Sequence, residues 1–479
     1  MTRRLWAFAL ASCALCPAPA MALGGRSGST GATTYVSSTR AVMPTGMREV
    51  VLDALAGRSV PSFSRQTGLS CSVCHYQFPQ LTPFGRLFKL NGYTTAGLKM
   101  ITETNKAQGS SLSLLPIPPL SATLMTSVTH LGRALPGAQN NNAAFPQQLS
   151  GFLAGAVTPH IGALIQATYT GSSGTFGIDN SDIRFASRMK LPSGDLIYGV
   201  SVNNNPTVQD VWNTTPAWGF PFLGSEVTPS PIAQSVIDGQ LAQGSVGIGA
   251  YALWNDLVYV EAAGYRSAPQ GALQVDTTAA NAIHGITPYW RVALQHKFGA
   301  VYAMLGTYGL SAHVYPTGIT GPTDAFTDVA GDAQIEYPIR QTGVLILRST
   351  VIHEQQSLPA LFSATTPLAA NLHNSLTTVR INMTAEPNAL IGTTIGYFAT
   401  TGTRDTLAYT PASVTGSRSG RPDNSGLTQE FDFNPWQNTR LGIQGIEFTR
   451  FNGSTRSYDG SRRNAWDNNT LYLFVWIAM

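Results

Sequence analysis

From Leu120 to the C-terminus the chain runs in segments of about ten residues in which apolar and polar side chains alternate, the period of a strand with two unlike faces. Trp290, Val292, Leu294 and His296 alternate with Arg291, Ala293, Gln295 and Lys297. Val379, Ile381 and Met383 alternate with Arg380, Asn382 and Thr384. Ile161, Ala163, Ile165 and Tyr169 alternate with Gln166, Thr168 and Thr170. Each segment has one face fit for lipid and one for a wet lumen. Turn residues punctuate them at Pro159, Pro192–Gly194, Asn255–Asp256, Phe298–Gly299, Ile339–Thr342, Pro387–Asn388 and Pro435–Gln437. Longer polar stretches lie between those turns, notably 204–238, 354–374 and 402–426. Seven turns and eight loops predict about sixteen strands with both ends on the periplasmic side. Leu471–Met479 is the expected closing strand, although its last residue is methionine where an aromatic is commoner.

A soluble β-sandwich shows the same alternation, and composition decides against it. Of the 479 residues only 11% are charged, against about 25% in an ordinary soluble domain. The missing charge is not replaced by long apolar runs. After the N-terminal segment the longest is Leu471–Met479, about half a membrane-spanning helix. A multi-span helical protein is thereby excluded. Plentiful aromatics and a net charge of only +4 exclude a disordered chain. With no basic cluster along the sequence, a nucleic-acid partner is not expected. The predicted fold is mainly β: a transmembrane outer-membrane barrel of about sixteen strands, residues 120–479, set in lipid.

Residues 1–22 read as an export signal. Arg3 and Arg4 form its positive end, Leu5–Leu15 its apolar stretch, and Ala20-Met21-Ala22 a cleavage site. Leu10-Ala11-Ser12-Cys13 resembles a lipoprotein box, but too few apolar residues precede it. Export removes Cys13 and Cys16 and sends the chain to an oxidising compartment.

The remaining cysteines form one motif, Cys71-Ser72-Val73-Cys74-His75, which is C-x-x-C-H, the attachment signature of c-type haem. Two thiols at this spacing bond two vinyl groups on one porphyrin edge, and the adjacent imidazole ligates the iron as proximal ligand. A local disulfide, a redox pair and half of a zinc site are the alternatives. Zinc wants four ligands and no third cysteine survives cleavage. A thioredoxin-like pair needs a βαβ pattern that is absent here. The motif occurs once, so one haem is expected.

The sixth iron ligand is less defined. Met100 lies just beyond a compact helical segment, and thioether suits haem iron, so Met100 is the expected distal ligand. Met43, Met47 and His130 are the other candidates, and packing alone explains any single methionine. A small haem domain is expected over 23–110. It would have a short helix at Met47–Gly57 and a second begun by Thr82-Pro83, striped by Phe84, Leu87, Phe88 and Leu90, and ended by Asn91-Gly92. Such a domain buries little surface alone, so haem and an enclosing wall are expected to complete it. A Pro-rich linker, 111–119, leads to the barrel.

The signal peptide, the single C-x-x-C-H, the run Pro79-Gln80-Leu81-Thr82-Pro83-Phe84-Gly85-Arg86 with Phe88-Lys89-Leu90-Asn91-Gly92-Tyr93, and the barrel that follows resemble the fused cytochrome–porin outer-membrane iron oxidases of iron-oxidising bacteria. The resemblance covers the full length, is specific over 71–93, and matches the barrel only in kind. It implies a monohaem cytochrome seated in a porin-like barrel. Such a protein takes electrons from extracellular Fe(II) and passes them to a periplasmic carrier, a cytochrome or copper protein, as an iron:cytochrome c oxidoreductase. Cys71, Cys74 and His75 carry over as attachment residues and proximal ligand. The sixth ligand is not set by that motif.

Physical chemistry supports the fused design. Fe(III) made inside a cell precipitates, so oxidation belongs outside, and electrons then cross an apolar band about 25 Å tall. With one haem, that group is expected inside the lumen. Hydrated Fe(II) gives up an electron through its water shell, so no metal cage is required. The loop acids Asp405, Asp423, Asp432 and Asp459 either steer the cation or are ordinary solvated loop residues. Two rivals remain: a conduit for electrons leaving the cell, and a solute porin whose haem module is a sensor or plug.

Overall fold

The computed structural model describes residues 61–97, 101–105, 110–137, 140–267, 281–316, 318–339 and 343–479. The signal segment, the Met47–Gly57 helix, Met43 and Met100 lie outside the described residues.

Sixteen antiparallel strands close into a barrel among the described residues. The register closes where Thr470–Ala478 pairs with Thr439–Arg450 on one side and Leu120–Leu131 on the other. Two strands are interrupted: Thr175–Ile178 continues as Asp182–Leu191, and Ala282–Ile283 as Thr287–Phe298, each pair sharing a neighbour. Short turns occupy one end, at 157–160, 192–193, 255–257, 299–300, 389–390 and 437–438; Ile339 and Gly343 flank the seventh. Longer loops occupy the other end, at 204–244, 358–372, 403–423 and 451–469. The predicted strand count and turn–loop rhythm are both found.

Alternation places the side chains as the pattern requires. Val292, Leu294, Ile381 and Met383 stand exposed on the outer wall, whereas Arg291, Gln295, Asn382 and Thr384 are buried in the lumen. Lipid cannot hydrogen-bond backbone groups, so a closed barrel with an apolar exterior is a membrane-spanning structure. The protein is an outer-membrane β-barrel of porin type, with its short turns on the periplasmic side.

Two segments fill the lumen. One is helical: α1 (Ser62–Thr67), α2 (Cys71–Cys74) and α3 (Pro83–Leu90). Thr82 caps α3 by accepting from the Gly85 amide at 3.1 Å, with proline at the first position, and Asn91 ends it, as the sequence predicts. The stretch expected to be linker contains a strand, Ser110–Leu114, paired with Ile101–Asn105.

The second segment is the loop 204–244, which the sequence marks only as a long polar connection. It folds inward, burying Val208, Val211, Trp212, Val236 and Ile237 to 1% exposure or less. Trp212 Nε1 donates to Gln295 Oε1 at 2.9 Å, and Asp210 lies 3.5 Å from the buried Arg291, which also pairs with Asp332 at 2.7 Å. The Val236 and Ile237 amides donate to Glu354 and Asp328.

Candidate functional site

α2 is a single turn, so Cys71 and Cys74 at i and i+3 project from one side of it. His75 N–H donates to the Cys71 carbonyl at 2.9 Å, and His75 itself is extended, φ −126° and ψ 134°. The chain then doubles back. Tyr76 donates to the Gln80 carbonyl at 3.0 Å, Thr82 N–H to Cys74 O at 3.0 Å, and Thr82 Oγ1 to Val73 O at 2.6 Å. One threonine thus caps α3 with its lone pair and fastens the cysteine turn with its hydroxyl proton. The two parts of the motif noted in sequence, 71–75 and 79–93, form one welded unit.

Cys71, Cys74 and His75 all line one cavity, which holds about 1690 Å³ of empty space with its open mouth included. Phe63, Phe88 and Tyr93 build one wall, Phe63 crossing Phe88 edge-on at 5.0 Å and stacking on Tyr93 at 5.5 Å. Phe78, also in the lining, stacks on Trp476 at 4.8 Å and approaches the His75 ring at 5.4 Å. Ala122, Ala389, Gln437 and Ala478 also line it, all at the short-turn end, so the cavity opens at the periplasmic mouth. Leu164 turns into the lumen to line it too.

Burial sets the electrostatics. The His75 imidazole is pushed down to about 4 by burial, against a smaller upward pull from the Pro79 and Gln80 carbonyls. It is therefore neutral and ready to ligate at ordinary pH. Its Nδ1 makes no well-formed hydrogen bond among the described residues. Burial, and then Cys71, pushes the Cys74 thiol up to about 11, so it is a thiol rather than a thiolate. Both cysteines are free. Lys89, on the cavity wall, is pushed down to about 7 by burial foremost; its Nζ donates to the Val208 and Asp210 carbonyls at 2.7 and 2.8 Å and lies 4.8 Å from the Trp218 ring.

The barrel wall clamps the helical segment. Arg86 pairs with Glu336 at 2.5 Å, both side chains 3% exposed, and Tyr76 Oη donates to the same carboxylate at 3.0 Å. Tyr93 Oη donates to Asp182 at 2.8 Å, Arg348 to Gln80 at 2.9 Å, and Arg440 to the Phe78 carbonyl at 3.0 Å. These wall partners, Lys89 and Trp476 are missed by sequence reasoning. A charged residue on the lumenal face of an alternating strand is the signal that marks the wall partners.

Other candidates fall elsewhere. His130 is exposed near the loop end of its strand, 2.5 Å from Asn141, and does not line the cavity. The loop acids are neither solvated nor free to steer a cation, which corrects both expectations for them. Asp405, at 1% exposure, accepts from the Ala370, Leu407 and Ala408 amides. Asp459 accepts from Val414, Ser461 and Arg463, and Asp423 from Gly402. Asp432 is on a strand, facing the lumen and paired with Arg440. Short carboxylates are drawn inward because loop amides need acceptors.

No protein-family model matches the chain, and no curated protein matches its sequence. Solved structures similar to it are outer-membrane barrels. The outer membrane channel DcaP of Acinetobacter baumannii is 10% identical, with a TM-score of 0.45, over 75% of this chain and 96% of that one. An anion-selective porin from Comamonas acidovorans is 10% identical, TM-score 0.43, over 75% and 98%. In-vitro folded OmpT of Vibrio cholerae is 11% identical, TM-score 0.41, over the same shares.

Proposed function

We propose that this chain is an outer-membrane monohaem cytochrome that takes single electrons from extracellular Fe(II) and delivers them to a periplasmic carrier. The observation that carries this reading is the convergence of Cys71, Cys74 and His75 on one cavity at the periplasmic mouth. The residues present fit a covalently held porphyrin. Two free thiols stand on one turn, a half-buried neutral imidazole follows, and the rings of Phe63, Phe78, Phe88, Tyr93 and Trp476 are among the lining. Cys71 and Cys74 would hold the vinyl carbons as thioethers, and His75 would ligate the iron. Met100 is the proposed distal ligand. When bound, the group supplies a one-electron iron couple tuned by its axial ligands and burial.

The chain's own residues set the conditions for that chemistry. Thr82 and Gly85 hold the cysteine turn in place, and Phe63, Phe88 and Tyr93 keep water from one side. Ser72 is exposed at the mouth, its amide 3.4 Å from Gln437 Oε1, which leaves this edge accessible to a carrier. The inward-folded loop 204–244 fills the lumen between the cavity and the outer end, which weighs against a solute porin. An outward conduit uses the same residues, since a periplasmic mouth suits a donor as well as an acceptor.

Fe(II) supplied outside intact cells should bleach the oxidised haem band and raise the reduced one, and His75→Ala should abolish the response with the barrel still assembled. If Fe(II) fails to reduce the haem at any pH while a periplasmic reductant succeeds, the outward conduit replaces this reading.

A further inference from the structure

We propose that one side of the outer rim, built around Arg404, Arg418, Arg421, Arg456 and Arg462, binds the phosphate groups of outer-leaflet glycolipid. These arginines are exposed and lie in the loops 403–423 and 451–469. None has a carboxylate within ion-pair distance among the described residues. Arg133, from the neighbouring loop, joins them; it is 54% exposed and pairs weakly with Asp467 at 3.6 Å.

The face is positive because of how these loops fold. Every acid they contain is turned inward as an acceptor for backbone or for a single arginine: Asp405, Asp423, Asp459 and Asp467. The exposed acids of adjoining elements, Glu226 and Glu447, lie outside these loops. The loops that carry these arginines are also fastened to one another. Arg418 N–H donates to the Tyr458 carbonyl at 2.6 Å and Arg133 to Arg462 O at 3.2 Å, while Arg404 Nε donates to Ser419 O at 2.8 Å within its own loop.

Two features specify the ligand. All the cations here are arginine; the chain's lysines lie at 89, 99, 106, 190 and 297. A planar guanidinium matches phosphate bidentately, whereas an ammonium is a point charge. The loops, moreover, rise from consecutive wall strands, Ile391–Gly402 through Thr470–Ala478 to Leu120–Leu131, rather than ringing the mouth. Below them the same wall presents Ile395, Tyr397, Ile443 and Leu471 to lipid. A molecule with acyl chains beside those residues and phosphates at the loops fits this side of the barrel; a free solute gains nothing from the apolar part.

The test uses the full-length protein in nanodiscs or mild detergent, with diphosphorylated lipid A and its dephosphorylated form as probes. Wild type should bind the phosphorylated form at least about tenfold more tightly, with affinity falling as salt rises. R418Q/R456Q/R462Q should erase that preference, and K190Q at the periplasmic end should keep it. If the triple variant does not give a heat-modifiable barrel, R404Q/R421Q serves instead. Equal binding of the two lipids, or an unaltered variant, overturns the proposal. Competition by equimolar inorganic phosphate also overturns it, in favour of a free-anion site. None of these readouts depends on haem.

Discussion

Gly85 is packed against Cys74 so closely that an added Cβ at 85 would overlap the Cys74 carbonyl oxygen. Helix α3 rests on the cysteine turn through backbone at this point, which is why the turn's position is set by a residue eleven places beyond Cys74. Gly85→Ala should therefore displace the turn rather than unfold the barrel. Overpacking of this kind costs about 1–3 kcal/mol. The expected outcome is reduced covalent haem on a denaturing gel, with unchanged heat-modifiable migration of the barrel. Undiminished haem staining would show that the contact does not position the thiols.

Removing the thiols acts more directly. Cys71→Ala together with Cys74→Ala should abolish haem staining, because no other cysteine lies within the described residues. Met100→Ala should lower the potential in a potentiometric titration if the thioether ligates. An unchanged potential and spectrum would remove Met100 alone from the reading, since Cys71, Cys74 and His75 do not depend on it.

Trp212 tests what closes the lumen. Its indole is 1% exposed, bonded to Gln295 and 5.3 Å from the Tyr259 ring. Trp212→Ala should cost about 3–5 kcal/mol by leaving a cavity and an unpaired amide oxygen. With the loop 204–244 loosened, single-channel conductance in planar bilayers should rise above a closed wild type. A wild type that conducts as an open pore would instead favour the solute-porin alternative.

Much of the barrel was legible because lipid and lumen impose opposite demands on successive residues, so Val292 and Leu294 against Arg291 and Gln295 reveal the wall without a structure. Thr82-Pro83 and Asn91-Gly92 likewise mark α3 by local chemistry alone. The loop 204–244 was not legible, because Val208, Trp212 and Ile237 are buried by irregular backbone with no period to detect. An available sign was its load of aromatics, Trp212, Trp218, Phe220 and Phe222, rich for a loop facing water. The inward turn of Asp405 and the clustering of arginines from separate loops depend on tertiary folding, which no linear pattern encodes.

Asp405 gives the outer loops a dependence on acid. Burial raises its carboxyl, but the Ala408 amide, the Asn374 side chain and the Ala370 and Leu407 amides outweigh this and hold it below the ordinary value. A carboxylate depressed in the folded state stabilises above its unfolded value, about 4, and that contribution is lost as pH falls through the lowered one. Pepsin cleavage within 403–423 should therefore accelerate below about pH 4 in wild type. Asp405→Asn should be cleaved faster from about pH 5 upward to the limit of the protease, and should lose much of the acid dependence. Cleavage independent of pH in wild type would exclude this role.

The Arg86–Glu336 pair should be what anchors the helical segment to the wall. Both side chains are 3% exposed, and the carboxylate also accepts from Tyr76 and Gln334. Glu336→Gln leaves a buried guanidinium without its counter-charge, a change that costs about 3–5 kcal/mol in a comparable setting. Arg86→Met strands Glu336 in the same way. Replacing both by apolar residues, Arg86→Met with Glu336→Leu, removes the desolvation penalty along with the attraction and is expected to recover most of the loss. Protease access to residues 61–97 in the folded barrel measures the anchoring: high in each single variant, near wild type in the double. Haem yield should follow the same order, because the cysteine turn is held by the segment that this pair seats. If both single variants protect 61–97 as well as wild type does, the remaining contacts of Tyr93, Gln80 and Phe78 with Asp182, Arg348 and Arg440 are sufficient to hold it.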